Sequence, residues 1–470
     1  MIEKCSEKVL SRRSFLKAMG ISTAALAIGS CAPATLAPTA PAATSTAPEA
    51  EATPTPGREA PTGRKTTIEL FEIWGGGLFD QWVKLAEIYE RDHPDVGIKV
   101  TFSPGHGDNP KLLTAVAGGV PPDMAMIVDF STAQWVELGV MLDLTPYFEA
   151  AGLTGDDFWP AAWYLMNYKG KVWQMPFEVD PNFPFFWNKG IFRDVGLDPE
   201  KGPATIDEVD EFSKKINKIE NGKVTRIGMV PWWTYGFGNS IYTWGWAFGG
   251  SFYDATKEEV TPDNEYVVKA LEWMFKYAKE VGGPDQVAVT PPGLQVHFFG
   301  AGNVGMAPMV SANYRDVMKY NPDIEIGHGL LPYQPPGEQE PGAGAWISGW
   351  RLFIPIGAKN PDAAWNFIYW VVCTPEGTEA EWNTLGFPPG WKHAPVFEKI
   401  KADPLMKPYY DVLVTAKHAK DPIPVGAFYQ AQLEELAGEA VYGRMTPLAA
   451  MREAKKRTME EWQRFKEQQG

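Results

Sequence analysis

Glu178 and Asp180 stand two residues apart in the run Phe177-Glu178-Val179-Asp180-Pro181. On an extended chain both carboxyl groups face the same side. Carboxylates so placed accept hydrogen bonds from hydroxyls, and two of them can also serve as acid and base. Asp129 closes the apolar run 124–128 and offers a third acceptor. The second resource is aromatic: the chain has 19 Trp. Trp232, Trp233 and Tyr235 open a glycine-containing run that continues through Tyr242, Trp244 and Trp246. Glycines among rings suggest a loop presenting them to a ligand; the competing reading is a packed cluster between helices. Trp346, Ser348 and Trp350 alternate, so they share one face of a strand, with Arg351 on the other. Such rings cover flat apolar faces, while Asp, Glu, Asn and Arg hold polar rims.

These residues need elements to position them. Residues 67–74 (TIELFEIW) read as a strand. Gly75-Gly76-Gly77 follow, then apolar residues at helical spacing until His93-Pro94. Residues 97–102 and 123–128 read as two more strands, with a short helix over 111–117 between them. Strand–helix alternation argues for a parallel sheet with covering helices, an α/β architecture. In such sheets ligands sit beyond the carboxyl ends of the strands, which is where Trp74, Gly76 and Asp129 fall. Gly76 would let the backbone approach a ligand. Further along, 171–177, 224–230, 304–309 and 346–355 read as strands. Thr205 and Glu208 read as a capping box. Helices are expected over 267–281, from Asn360-Pro361 to 372, and over 448–465.

Residues 1–30 place the chain outside the cytoplasm. Ser11-Arg12-Arg13-Ser14-Phe15-Leu16-Lys17 resembles the twin-arginine export signal. The apolar run after it is shorter than the about 20 residues that cross a membrane. Ile28-Gly29-Ser30-Cys31 looks like a lipobox, in which cleavage before Cys31 leaves a cysteine that carries lipid. Residues 31–65 are rich in Ala, Pro and Thr and read as a disordered tether. Of three cysteines, Cys5, Cys31 and Cys373, the last alone remains, so no internal disulfide is expected. The net charge is −15, which argues against nucleic acid as a partner. A body from 66 to 470 exceeds one ordinary domain. The six histidines lack metal-ligand spacing, and no phosphate-binding glycine motif is present, so neither a metal nor another cofactor is expected.

Several segments together resemble family 1 of the extracellular solute-binding proteins, the carbohydrate receptors of ABC importers. Residues 112–129 (LLTAVAGGVPPDMAMIVD) followed by 140–147 carry the resemblance best. Residues 170–177 running into Trp187-Asn188-Lys189, 302–306 (GNVGM) and 354–367 (IPIGAKNPDAAWNF) extend it over nearly all of the body. The resemblance implies a two-lobed periplasmic-binding-protein-like fold of type II, with hinges near 179–181, 332–336 and 386–390. Lobe 1 would then hold 66–179 and 336–385, and lobe 2 would hold 180–335 and 386–470. It further implies a sugar or oligosaccharide ligand and ABC permease subunits as partners; a monomer is expected, tethered to the membrane through the lipid that the lipobox-like run places on Cys31. It implies a ligand carboxylate at Glu178 or Asp180, and an aromatic platform at Tyr314 or a polar substitute at Asn313. The expected site is therefore Trp74, Gly76, Asp129, Glu178, Asp180, Trp232, Trp233, Tyr235, Trp244, Asn313, Tyr314, Trp346, Trp350 and Arg351. No catalytic group is expected. A secreted glycoside hydrolase, or a binder of a polyol or peptide, is the alternative.

Overall fold

The computed structural model describes residues 57–105, 109–221, 223–233, 236–284, 299–334 and 342–469. The strands that position the cleft are, in chain order, β1 (Thr66–Glu72), β2 (Val96–Phe102), β3 (Met124–Val128), β4 (Met175–Pro176), β5 (Asp180–Asn182), β6 (Phe185–Asn188), β7 (Met306–Pro308), β8 (Ile326–Gly329), β9 (Trp346–Ser348) and β10 (Trp350–Phe353). Lobe 1 is built on a sheet of order β2-β1-β3-β10-β4. β1 runs parallel to β2 and β3, and β10 runs antiparallel to β3 and β4. Helices Gly76–Asp92 and Pro361–Cys373 supply apolar side chains to its core, including Trp82, Leu85, Phe367 and Ile368. Lobe 2 carries the antiparallel sheet β7-β6-β8 and the helices Gly236–Ala247, Glu265–Glu280, Gly426–Val441 and Pro447–Gln469, which share a separate core.

Among the described residues, three crossings join the lobes. The first runs from Phe177, in the lobe 1 core, to Val179, in the lobe 2 core. The second passes from β9 to β10 at Gly349: Trp346 and Ile347 pack in lobe 2, Leu352 in lobe 1. The third lies between Leu385 and Ala394. The middle crossing is displaced from the expected 332–336, because β9 pairs with β5 and stays with lobe 2 until Gly349. Residues 335–341 lie outside the described residues. Sequence also misjudged the strand 346–355, which is two strands broken at Gly349, and the strand 171–177, which breaks into Lys171–Val172 and β4. The Thr205 hydroxyl does cap its helix at the Glu208 amide, but the Glu208 carboxylate returns to the amide of Ala204 rather than to that of Thr205.

The expected tether is corrected at its end. Residues 57–65 lie along lobe 1, where Arg58 bridges Val100 of edge strand β2 through paired main-chain bonds of 2.8 and 2.9 Å. The Arg58 guanidinium forks onto Glu90 at 2.6 and 3.1 Å, and Glu90 also accepts the Ile98 amide. A charged pair with matching fork geometry holds the segment down and covers the sheet edge. Residues 1–56, with the export signal and Cys31, lie outside the described residues.

Two of the buried acids of lobe 1, Glu72 and Glu381, lie away from any cation among the described residues that would hold them ionised. Glu72 is 0% exposed; its Oε1 accepts the Trp74 amide at 2.7 Å, and Oε2 has no partner. Burial pushes its pKa up to about 8, against the pull of the Trp74 amide. Glu381 is equally buried and is raised for the same reason. A raised folded-state pKa means stability is complete below the ordinary carboxylate range and is lost as pH climbs through about 8. Glu72→Gln keeps the acceptor and cannot ionise. It is expected to be more stable than the parent at pH 9 by about 2 kcal/mol, and no more stable at pH 4. Parallel melting profiles for the two proteins from pH 4 to 9 would sink this account.

Candidate ligand-binding cleft

The cleft opens where the carboxyl ends of β1 and β3 meet the β5/β9 crossing, with a volume of about 390 Å³. Trp74 follows β1, and its main-chain N–H donates to Glu72 Oε1. Its ring meets Trp350 edge-on at 5.2 Å and Phe387 at 5.7 Å, so three rings form the lobe 1 wall. Trp346 and Phe183 form the opposite aromatic wall, edge to face at 5.8 Å. Trp346 anchors by donating its indole N–H to Thr243 Oγ1 at 2.9 Å. The helix Ser311–Tyr320 starts at the cleft with no side-chain cap, and Ser311 and Ala312 line the opening.

Charged groups converge on the crossing. Asp129 Oδ1 accepts the Phe130 amide at 2.7 Å, while Oδ2 has no partner. Glu178 Oε2 accepts the Trp350 amide at 2.7 Å. Arg351 Nη1 donates to the main-chain oxygen of Glu178 at 2.6 Å. Asn182 Nδ2 donates to Asp180 O and to Ser348 Oγ, tying β5 to β9. Lys420 Nζ donates to Asn239 Oδ1 at 2.8 Å. Burial and the neighbouring Asp180 push Glu178 well above the carboxylate range. Burial and Asp129 push Asp180 up to about 6. Burial also raises Asp129, opposed by Arg351 and Lys420. Lys420 falls to about 8, because burial outweighs Asp129, Glu434 and Asp180. Ring faces, acceptors with spare lone pairs and a few donors between two lobes suit reversible capture of a small polar molecule.

Comparison with known proteins decides the family. Residues 84–408, more than half the chain, match the model for bacterial extracellular solute-binding proteins. The chain belongs to that family. This solute-binding protein is 24% identical over 327 residues to the sn-glycerol-3-phosphate-binding periplasmic protein UgpB of Shigella flexneri, covering 64% of this chain and 72% of UgpB. It is 24% identical over 331 residues to a maltotriose-binding protein of Pyrococcus abyssi, covering 68% and 66%. Among solved structures, CpMnBP1 with mannobiose bound superposes with a TM-score of 0.70 at 26% identity, covering 84% of this chain and all of that one. Maltose-bound MalE3 of T. maritima has the same two-lobed fold, with a TM-score of 0.64 at 19% identity. Among the described residues of this solute-binding protein, no helix is long and apolar enough to cross a membrane.

Seven of the fourteen expected site residues fall elsewhere. Trp74, Asp129, Glu178, Asp180, Trp346 and Trp350 line the cleft. Both acids of the 178/180 pair do so, which leaves neither excluded. Arg351 lies behind the wall, fully buried, because it alternates with Trp350 along β10. Gly76 does not reach the cleft; its φ of +60° serves the turn into the helix, and Leu78 lines the cleft instead. Trp232 and Trp244 are core residues, and Trp233 packs against the same core. Trp244 donates to Pro231 O at 2.7 Å and meets Trp273 edge-on at 5.0 Å. Tyr235 lies outside the described residues. Tyr314 is stacked on Phe186 at 4.5 Å inside lobe 2, and Asn313 is half-buried off the cleft. Sequence reading passed over Asn182, Asn239, Phe387 and Lys420. Phe387 lies within the expected third hinge and Asn182 follows the first, so both had a positional signal. Lys420 and Asn239 had none.

Proposed function

We propose that this protein is the receptor of an ABC importer, binding a sugar or oligosaccharide between its lobes and delivering it to the permease. The observation that carries this is the pairing, in one cleft, of the Trp74, Trp350 and Trp346 rings with the carboxylates of Asp129 and Asp180. Rings cover the C–H faces of a pyranose and carboxylates accept its hydroxyls. The relatives support the reading: one is a maltotriose-binding protein, and one was solved with mannobiose. Ligand contacting both walls would stabilise the closed lobes, a shift of population rather than a reaction. Export through the Arg12-Arg13 signal and lipid on Cys31 would hold the receptor at the outer face of the membrane, with residues 32–56 as the tether.

A thermal-shift screen of the purified protein against mono- and oligosaccharides, polyols, sn-glycerol-3-phosphate and peptides tests it. A saccharide at 100 times its dissociation constant should stabilise the protein by about 2.7 kcal/mol. A saturable response to peptides or polyols alone would overturn the saccharide assignment and leave the receptor fold standing.

A further inference from the structure

Three carboxyl groups face the cleft, Asp129, Glu178 and Asp180, and Lys420 is the only cation among its described lining residues. That lysine is built into the wall. It is 7% exposed, and its ammonium lies 5.1 Å from the ring centres of Phe130 and Trp346 and 5.5 Å from that of Tyr242. Phe130 follows β3 of lobe 1, whereas Tyr242 and Trp346 belong to lobe 2. Taking an ammonium out of water is costly unless ring faces and acids replace the water. Asp129 and Asp180 are the cleft acids whose fields support it. Yet Asp129 keeps Oδ2 without a partner, so the lysine balances that charge without filling the acceptor a hydroxyl would use. Behind the wall, Arg351 lies in the fields of Asp129 and Glu178 and adds the second cation. Two cations, Lys420 and Arg351, thus stand against three cleft acids, of which Glu178 is pushed well above the carboxylate range by burial and Asp180.

We propose that Lys420 sets the charge class of the ligand, balancing Asp129 and Asp180 so that the cleft takes uncharged saccharides and rejects phosphate esters, sugar acids and amino sugars. The inference rests on the saccharide reading above and narrows it. Family membership does not dictate the charge, since one relative binds sn-glycerol-3-phosphate and another maltotriose. An anion in this cleft meets the lone pairs of Asp129 and Asp180, a like-charge contact that is strongly unfavourable in a partly dry site. The start of helix Ser311–Tyr320 would attract an anion, but its amides donate equally to hydroxyl oxygens.

The test is a set of tryptophan-fluorescence titrations of parent, Lys420→Met and Asp129→Asn. The probes are a neutral manno- or malto-oligosaccharide, an oligomer of glucosamine, an oligouronate and sn-glycerol-3-phosphate. The parent is expected to bind the neutral sugar at least tenfold tighter than any charged probe. Lys420→Met should move the neutral-to-amino-sugar ratio at least tenfold toward the amino sugar. Asp129→Asn should move the neutral-to-acid ratio toward the oligouronate. The second variant decides alone if the first fails to fold, as judged by its melting transition. A parent that binds the phosphate or the uronate as tightly as the neutral sugar overturns the proposal and leaves the saccharide or receptor reading in place. Unchanged ratios in both variants overturn it as well. A parent that binds no saccharide of any charge overturns the saccharide reading and this proposal together.

Discussion

Trp350→Ala is expected to weaken saccharide binding about thirtyfold, a loss of about 2 kcal/mol, while leaving the melting temperature of the free protein within a few degrees of the parent. The ring forms one side of the lobe 1 wall, edge-on to Trp74 at 5.2 Å. It is half-buried, with one side against lobe 1 and the other toward the cleft. Removing it takes away stacking surface and leaves the backbone intact. The Trp350 amide still donates to Glu178, and β10 still pairs with β3. Trp346→Ala is the informative contrast. That ring is 2% exposed, packed in the lobe 2 core and bonded to Thr243, so its loss should cost stability as well as affinity. Titration calorimetry beside thermal melts separates the two. Parent-like affinity in Trp350→Ala would remove the ring from the site.

How far the site could be read from sequence follows from what local pattern encodes. Trp74 and Asp129 were legible because each stands at the carboxyl end of a strand, and the carboxyl ends of strands in an open α/β sheet face the ligand. Trp346, Ser348 and Trp350 were legible through the period of two, and all three do line the cleft. The same period put Arg351 on the opposite side, and it is buried there. The aromatic run 232–246 misled because glycine has two uses. Glycines between rings point to a loop, yet Gly236–Ala247 is a helix buried among other helices. A side chain at Gly245 would sit 2.6 Å from the Phe252 ring, so that glycine permits close packing rather than a turn. Lys420 was illegible for another reason. It stands in a loop without periodicity, and the cleft groups that surround it, among them Asp129, Asp180 and Trp346, are remote in sequence. Charge balance in a cleft is a property of the assembled lobes, and no local window contains it.

Gly349→Ala is expected to do the greatest damage of any single methyl group near the cleft. Gly349 joins β9 to β10 with φ of +138°, a region that costs a residue bearing a Cβ about 1–2 kcal/mol. Space forbids it as well. A Cβ there would lie 2.5 Å from the main-chain oxygen of Glu178 and 3.0 Å from the Cα of Val179. Both neighbours are backbone, and neither can swing aside. The first crossing would have to move away from the second, pulling Glu178 from the Trp350 amide and shifting the Gly349 carbonyl that faces the Asp129 amide at 3.4 Å. Strain and displaced contacts together should cost about 3 kcal/mol of stability, and saccharide affinity should fall at temperatures where the variant is still folded. Gly302→Ala separates the two causes. Gly302 has φ of +77° with nothing within 4 Å of a built Cβ, so it carries strain without collision and should cost only about 1 kcal/mol, with no change in binding. If the Gly349 and Gly302 variants melt alike and bind alike, the close approach of the two crossings does not govern the cleft. If only Gly349→Ala loses affinity, the joint between the lobes is also the frame on which the ligand carboxylates hang.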